Sequence, residues 1–229
     1  MTEAEWLNAS KCDLMVDLLE DNGKLSERKT RLFAVACGRR AWPFMVDERS
    51  RRAVEISEQY ADGLVGNKSL RAMRHQAFLA TTSPTYTSNG LDPRLIETAA
   101  IVALNTCMNA KKEGNKSIAL STAGCENALV FRAFGDAAGW AALSDQCILI
   151  RCIFGSPFHP VTLNPSWLTS TVLALATGIY SEKAFDRMPI LADALQDAGC
   201  DNDEILQHCR GPGPHVRGCF LIDLLLGKK

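Results

Sequence analysis

The residue types best suited to chemistry crowd the end of the chain: Cys200, His208, Cys209, His215 and Cys219. Thiolate and imidazole are the donors that tetrahedral zinc prefers, so this cluster is a candidate metal site. A Gly-Pro-Gly-Pro turn, Gly211–Pro214, lies in its middle and folds the two halves toward each other. The spacing is not a standard zinc signature, because no C-x2-C is present. His208 and Cys209 are neighbours, which point about 100° apart on a helix. The plainer reading puts Cys209 and Cys219 in a core, His208 at the C-terminal end of a short helix and His215 at the start of the next.

Two further groups of charged residues are candidates. Arg187 and Arg217 lie near Asp186 and Asp193; as forked donors beside the Gly211–Gly213 amides they would hold an anion. With acids so near in sequence, structural ion pairing is the simpler expectation. Residues 24–52 hold nine Lys or Arg against three acids. Arg39, Arg40, Arg49, Arg51 and Arg52 in this block would form a basic face for an acidic partner or, less simply, for nucleic-acid phosphates. The acids that follow, Glu55, Glu58 and Asp62, favour a solvated surface instead. His159, in Phe158-His159-Pro160, stands in a loop with no nucleophile in a recognisable context beside it. No nucleophile elbow, P-loop, dinucleotide fingerprint, H-E-x-x-H or kinase signature occurs, so no catalytic residue is assigned.

The elements that position these residues read as helices throughout. Thr2 and Glu5 form a capping box. Ser26 caps a helix over Glu27–Trp42, stopped by Pro43, and Asp47 caps Glu48–Leu64. Ser69 starts Leu70–Ala80, and Thr81–Gly90 is a polar loop. Asp92-Pro93 opens a helix to about Ala110. Ser117–Cys152 reads as two Ala-rich helices bent near Gly135 or Gly139. Shorter helices follow from Asn164 or Thr169 to Tyr180, over Ile190–Ala198, to Cys209 and over His215–Leu226. Cys147–Phe154 and Phe220–Leu226 are ambiguous between buried strand and buried helix. Gly66-Asn67-Lys68-Ser69 recurs as Gly114-Asn115-Lys116-Ser117, with Ser expected to cap the following helix each time. The expected fold is all-α: about ten packed helices in stacked hairpins. Residues 1–152 form an N-terminal helical body and 153–165 an extended connection. Residues 166–229 form a C-terminal helical unit, the two sharing one core.

Length and composition agree with this. The chain has 229 residues, 47% apolar and 22% charged, with a net charge of −1. That excludes disordered and fibrous classes and gives no global pull toward polyanions or membranes. The nine cysteines are odd in number and sit mostly in apolar helical patterns, as reduced, buried thiols do. The start, Met1–Leu7, is acidic and carries no apolar signal core, so the expected compartment is the cytoplasm. No run of 18 apolar residues predicts a membrane span. Trp6, Trp42, Trp140 and Trp167 are expected core anchors.

Several segments together carry a resemblance. They are Thr2–Leu7, Arg31–Ala34, Cys37–Arg40, Glu48–Arg51 and Tyr60–Gly63 in the first part. In the second they are Phe154–Phe158, Ala184–Cys200 and His208–Cys219. The chain resembles an uncharacterised bacterial all-helical family, sometimes labelled immunity-type, over nearly its whole length. The resemblance brings no established reaction, cofactor or catalytic residue. The leading expectation is therefore a non-catalytic helical binding or adaptor module that acts through contacts with another protein. The alternatives are a metal-binding protein or enzyme built on the Cys/His cluster, and nucleic-acid binding through residues 24–52.

Overall fold

The computed structural model describes residues 1–82 and 90–228, and the chain is all-α. Among the described residues there are thirteen α-helices and no strand. The expected loop Thr81–Gly90 falls largely outside the described residues. Thr81 and Thr82 themselves continue a helix.

The chain divides into two compact units, Met1–Cys147 and Ile148–Lys229. The division falls inside a continuous helix, a few residues before the connection where the composition shifts. An apolar helix shows no compositional break where packing partners change, so the sequence pattern had no signal there.

The first unit holds α1 (Glu3–Leu7), α2 (Asp13–Asp21), α3 (Glu27–Arg40), α4 (Glu48–Ala61), α5 (Asn67–Thr82), α6 (Pro93–Thr106), α7 (Ala110–Glu113) and α8 (Asn115–Phe134). Most of α9 (Asp136–Phe154) belongs to it as well. The start signals act as their chemistry requires. Glu5 N–H donates to Thr2 Oγ1 at 3.3 Å and Thr2 N–H to Glu5 Oε2 at 2.6 Å, completing the capping box. Ser26, Asp47 and Asp92 each accept an orphan amide of the helix they open. The repeated Gly-Asn-Lys-Ser acts differently from expectation. The helices already begin at Asn67 and Asn115, so neither serine is a cap. Gly114 precedes α8 at φ 80°, a left-handed conformation that glycine adopts without strain. Gly135, at φ 82°, makes the break between α8 and α9.

Helix α3 packs on α4, α6 and α8, and α4 on α5 and α6. Their apolar faces, with Val35, Val54, Leu70, Ala99, Val102 and Leu129, close one core. A polar network lies inside this unit. Glu126, fully buried, accepts from Arg40 Nε at 2.9 Å and from the Gln146 side-chain amide. Arg40 also reaches Asp145 at 2.9 Å. Helix α9 is long and apolar enough by composition to cross a membrane. Its Asp145 and Gln146, tied into this network, fit a core helix of a folded unit. Trp6 is buried, as expected, but Trp140 is 57% exposed, stacked edge-on against Phe131.

The second unit continues from the end of α9 through α10 (Ser170–Glu182), α11 (Met188–Asp197), α12 (Asp203–Arg210) and α13 (Phe220–Leu225). Helix α11 packs on α10 and α12, and α10 on α13. Val172, Ile179, Leu191, Leu195, Ile205, Leu221 and Ile222 form the centre of its core, with Trp167 at the margin. Both segments ambiguous between strand and helix, Cys147–Phe154 and Phe220–Leu226, are helical apart from Leu226. The last helix is shorter than the apolar pattern implies. Residues 215–219 leave helical geometry, with Gly218 at φ 88°, and Cys219 becomes the N-cap residue of α13. That irregular segment is what builds the site.

Candidate metal centre

Four side chains of the second unit converge: Cys152, His208, His215 and Cys219. Their donor atoms all lie within 4.8 Å of one another. His208 Nε2 is 3.2 Å from Cys219 Sγ, and His215 Nδ1 is 3.8 Å from Cys152 Sγ. Tetrahedral zinc with Zn–S near 2.3 Å and Zn–N near 2.0–2.1 Å needs donor–donor edges of roughly 3.3–3.8 Å. The His215–Cys152 distance falls in that range, the His208–Cys219 distance is about 0.1 Å short of it, and the widest separation needs to close by about 1 Å.

Each donor is placed by a local feature. Cys152 is in the last turn of α9, which ends at Phe154 because Gly155 turns left-handed at φ 69°. A side chain on Gly155 would sit 3.1 Å from the ring of Phe220. Phe220 in turn packs on the His208 ring at 4.6 Å and so fixes its plane. His208 projects from α12, whose start is capped by Asn202 accepting from Ile205 N–H at 3.0 Å. Ile205, Leu206 and Cys209 bury the other face of that helix and set its rotation. The Gly211–Pro214 turn then brings His215 across, its ring 4.7 Å from that of His208 and nearly perpendicular to it. Gly213 is at φ 71°, and a Cβ there would meet the His215 backbone at 3.0 Å, so the turn admits only glycine at this position. Cys219 N–H donates to Val216 O at 2.9 Å, closing the tight loop that points its sulfur back at the two imidazoles.

The electrostatics favour a thiolate at the centre. Burial alone would push Cys219 up, but hydrogen bonds to its sulfur from Cys152, His208 and His215 outweigh that and hold it well below the usual thiol range. Cys152, which donates to Cys219 and is itself buried, is held well above. A divalent cation held here would replace the proton between the two sulfurs and deprotonate both, as metal–thiolate bonding does. Both cysteines are buried and both histidines half-buried. The His215 Nε2 is buried with no hydrogen-bond partner, while Nδ1 of the same ring faces Cys152 Sγ.

Of the residues singled out in the sequence, His208, His215 and Cys219 are brought together. Cys200 and Cys209 lie outside the group. Both are packed in the hydrophobic core, and burial pushes the Cys209 thiol up to about 12. The helical offset between His208 and Cys209 explains why only one of the pair reaches the site. Cys152 was missed. It lies 63 positions before His215, within an apolar run where cysteine reads as a small hydrophobe. The helix-ending glycine three residues later was the available signal that this cysteine sits at an element's end.

The remaining candidates are distributed as follows. Arg187 pairs with Glu182 at 2.9 Å, and Asp193 with Arg210 at 2.9 Å. Arg217 donates to Tyr180 O and lies over the Tyr180 ring. In the basic block, Arg39 pairs with Glu58, Arg40 with Glu126 and Asp145, Arg49 with Asp47, and Arg52 with Glu55. Arg51 and Arg39 stand over Trp42 at 5.6 and 4.6 Å. Most of these acids lie outside residues 24–52, so a local excess of charge in sequence meets its counter-charge in space. His159 is exposed in its loop. All nine cysteines are free, with no disulfide.

Comparison with known protein families, with characterised proteins and with solved structures gives no match.

Proposed function

We propose that this chain is a metal-binding helical protein whose C-terminal unit is organised by one tetrahedral zinc ion on Cys152, His208, His215 and Cys219. The observation that carries this reading is the convergence of two thiols and two imidazoles from three separate segments within 4.8 Å. A two-sulfur, two-nitrogen tetrahedral set selects zinc over harder cations. Four protein donors leave no open position for water or substrate, which is the arrangement of a structural rather than a catalytic zinc. The ion's work is to lock α9, α12 and the segment before α13 into one rigid surface. A protein so built acts through contacts with another protein, in a reducing compartment such as the cytoplasm that keeps the thiols available.

Cobalt substitution tests the geometry. Protein refolded under reductant with Co²⁺ should develop the intense visible bands of a tetrahedral ion with thiolate ligands. His208→Ala and Cys219→Ser should each remove them. A weak, octahedral cobalt spectrum in the unaltered protein would refute the site.

A further inference from the structure

A second site lies in the N-terminal unit, independent of the metal. A cavity of about 90 Å³ opens between α3, α4, α5 and the segment around α7. One water needs roughly 10–15 Å³ of such space, so this cavity takes a small polyatomic ligand. Its wall carries four cationic side chains beside the carboxylate of Glu27 and the apolar Leu70 and Cys107. Arg31, only 1% exposed, lines it together with Arg71, Arg74 and Lys111.

Arg31 is held in place by its terminal nitrogens. They donate to Thr106 O at 2.7 Å, Met108 O at 3.1 Å and Glu27 Oε1 at 3.0 Å, and the guanidinium lies 4.8 Å from the Tyr60 ring centre. Its Nε–H is buried and has no acceptor. A buried donor left without a partner is costly, and an acceptor in the adjoining cavity removes that cost.

Asn67 and Asn109 complete the polar part of the wall. Asn67 Oδ1 accepts from Tyr60 Oη at 3.0 Å, and Asn109 Oδ1 from Lys111 N–H at 3.0 Å. Each of these side-chain amides also carries N–H donors, and its oxygen keeps a second lone pair. Glu27 pairs with Arg31, and Glu113, close by, pairs with Arg74 at 2.8 Å. Among the described residues, Arg71 and Lys111 pair with no acid, which leaves the cavity two cations in excess.

We infer that this cavity binds a tetrahedral dianion, inorganic phosphate or the phosphate of a small monoester, between Arg31, Arg71 and Lys111. Arg31 brings its unpartnered Nε–H, Arg71 a forked guanidinium and Lys111 an ammonium, and the two uncompensated cations match a dianion's charge.

The test is thermal melting of the whole protein at constant ionic strength. The added ligands are inorganic phosphate, O-phosphoserine and, as the reference, chloride. A saturable rise of about 3 °C or more at 10 mM phosphate is expected from a site of millimolar affinity. Arg71→Glu combined with Lys111→Glu, both at exposed positions, should abolish the rise while leaving the melt in chloride nearly unchanged. Arg132→Glu, a charge change away from the cavity, should preserve it. A larger rise with O-phosphoserine identifies a monoester site, and a rise with phosphate alone identifies a free-ion site. No saturable response to either, or equal loss in Arg132→Glu, overturns the proposal. These outcomes are independent of bound metal.

Discussion

Changing Cys152 to Ser removes one of four converging donors, and a matched control exists in the same core. Cys152 and Cys200 are each 3% exposed and belong to the same hydrophobic cluster. Replacing either buried thiol by a hydroxyl therefore carries a similar intrinsic penalty, about 1–3 kcal/mol for the polar group left in the interior. What separates them is the proposed metal, which only Cys152 would ligate. Zinc at a hundredfold excess over its dissociation constant stabilises the folded state by about 2.7 kcal/mol. For a chain of 229 residues that corresponds to a rise in Tm of about 5–10 °C. Melting by calorimetry, with reductant present and with either zinc or a chelator, isolates this term. The unaltered protein and Cys200→Ser should both show the full zinc-dependent rise, and Cys152→Ser should lose nearly all of it. The reasoning fails if Cys152→Ser keeps the rise, or if Cys200→Ser loses it as completely.

Other perturbations probe the scaffold. Leu191 is fully buried, so Leu191→Ala should cost about 2–5 kcal/mol in urea unfolding, whereas half-buried Leu224→Ala should cost clearly less. Glu126→Ala removes the buried acceptor shared by Arg40 and Gln146, which keep Asp145 and Ala123 O as partners, and should cost about 1–3 kcal/mol; a loss under about 0.5 kcal/mol would show that the network contributes little. Alkaline pH gives a third test. Burial, Asp13 and Cys147 push the Cys12 thiol up to about 12, and burial raises Cys37 and Cys107. These groups keep their protons in the folded state, so stability is fully present below about pH 8.5 and falls as pH rises from there toward the folded values. Cys12 alone should account for about 1–2 kcal/mol lost by pH 10, and Cys12→Ala should flatten that slope in denaturant titrations.

The helical class was legible because capping chemistry is local. Thr2, Ser26, Asp47, Asp92, Thr169 and Asn202 each sit where a side-chain oxygen can reach the next turn, and each does so. Helix ends were less legible. The Glu27–Trp42 and His215–Leu226 patterns ran past the true ends because apolar residues continue to pack after the helix stops. Three of the four donors were visible as residue types because they cluster in sequence. Cys152 was not, since its role depends on a contact 63 positions away. Cys200 and Cys209 show the converse: near in sequence, they are turned into the core by helical rotation. The basic block illustrates the same limit for charge, because Glu58, Asp62, Glu126 and Asp145 reach it only through the fold.

The central claim is that four donors hold one zinc. Elemental analysis of the whole protein, purified natively under reductant without chelator, measures it directly. The account predicts close to one zinc per chain, falling below about a tenth in Cys152→Ser and in His215→Ala while remaining near one in Cys209→Ser. Zinc absent from the unaltered protein, and not taken up when supplied, contradicts it.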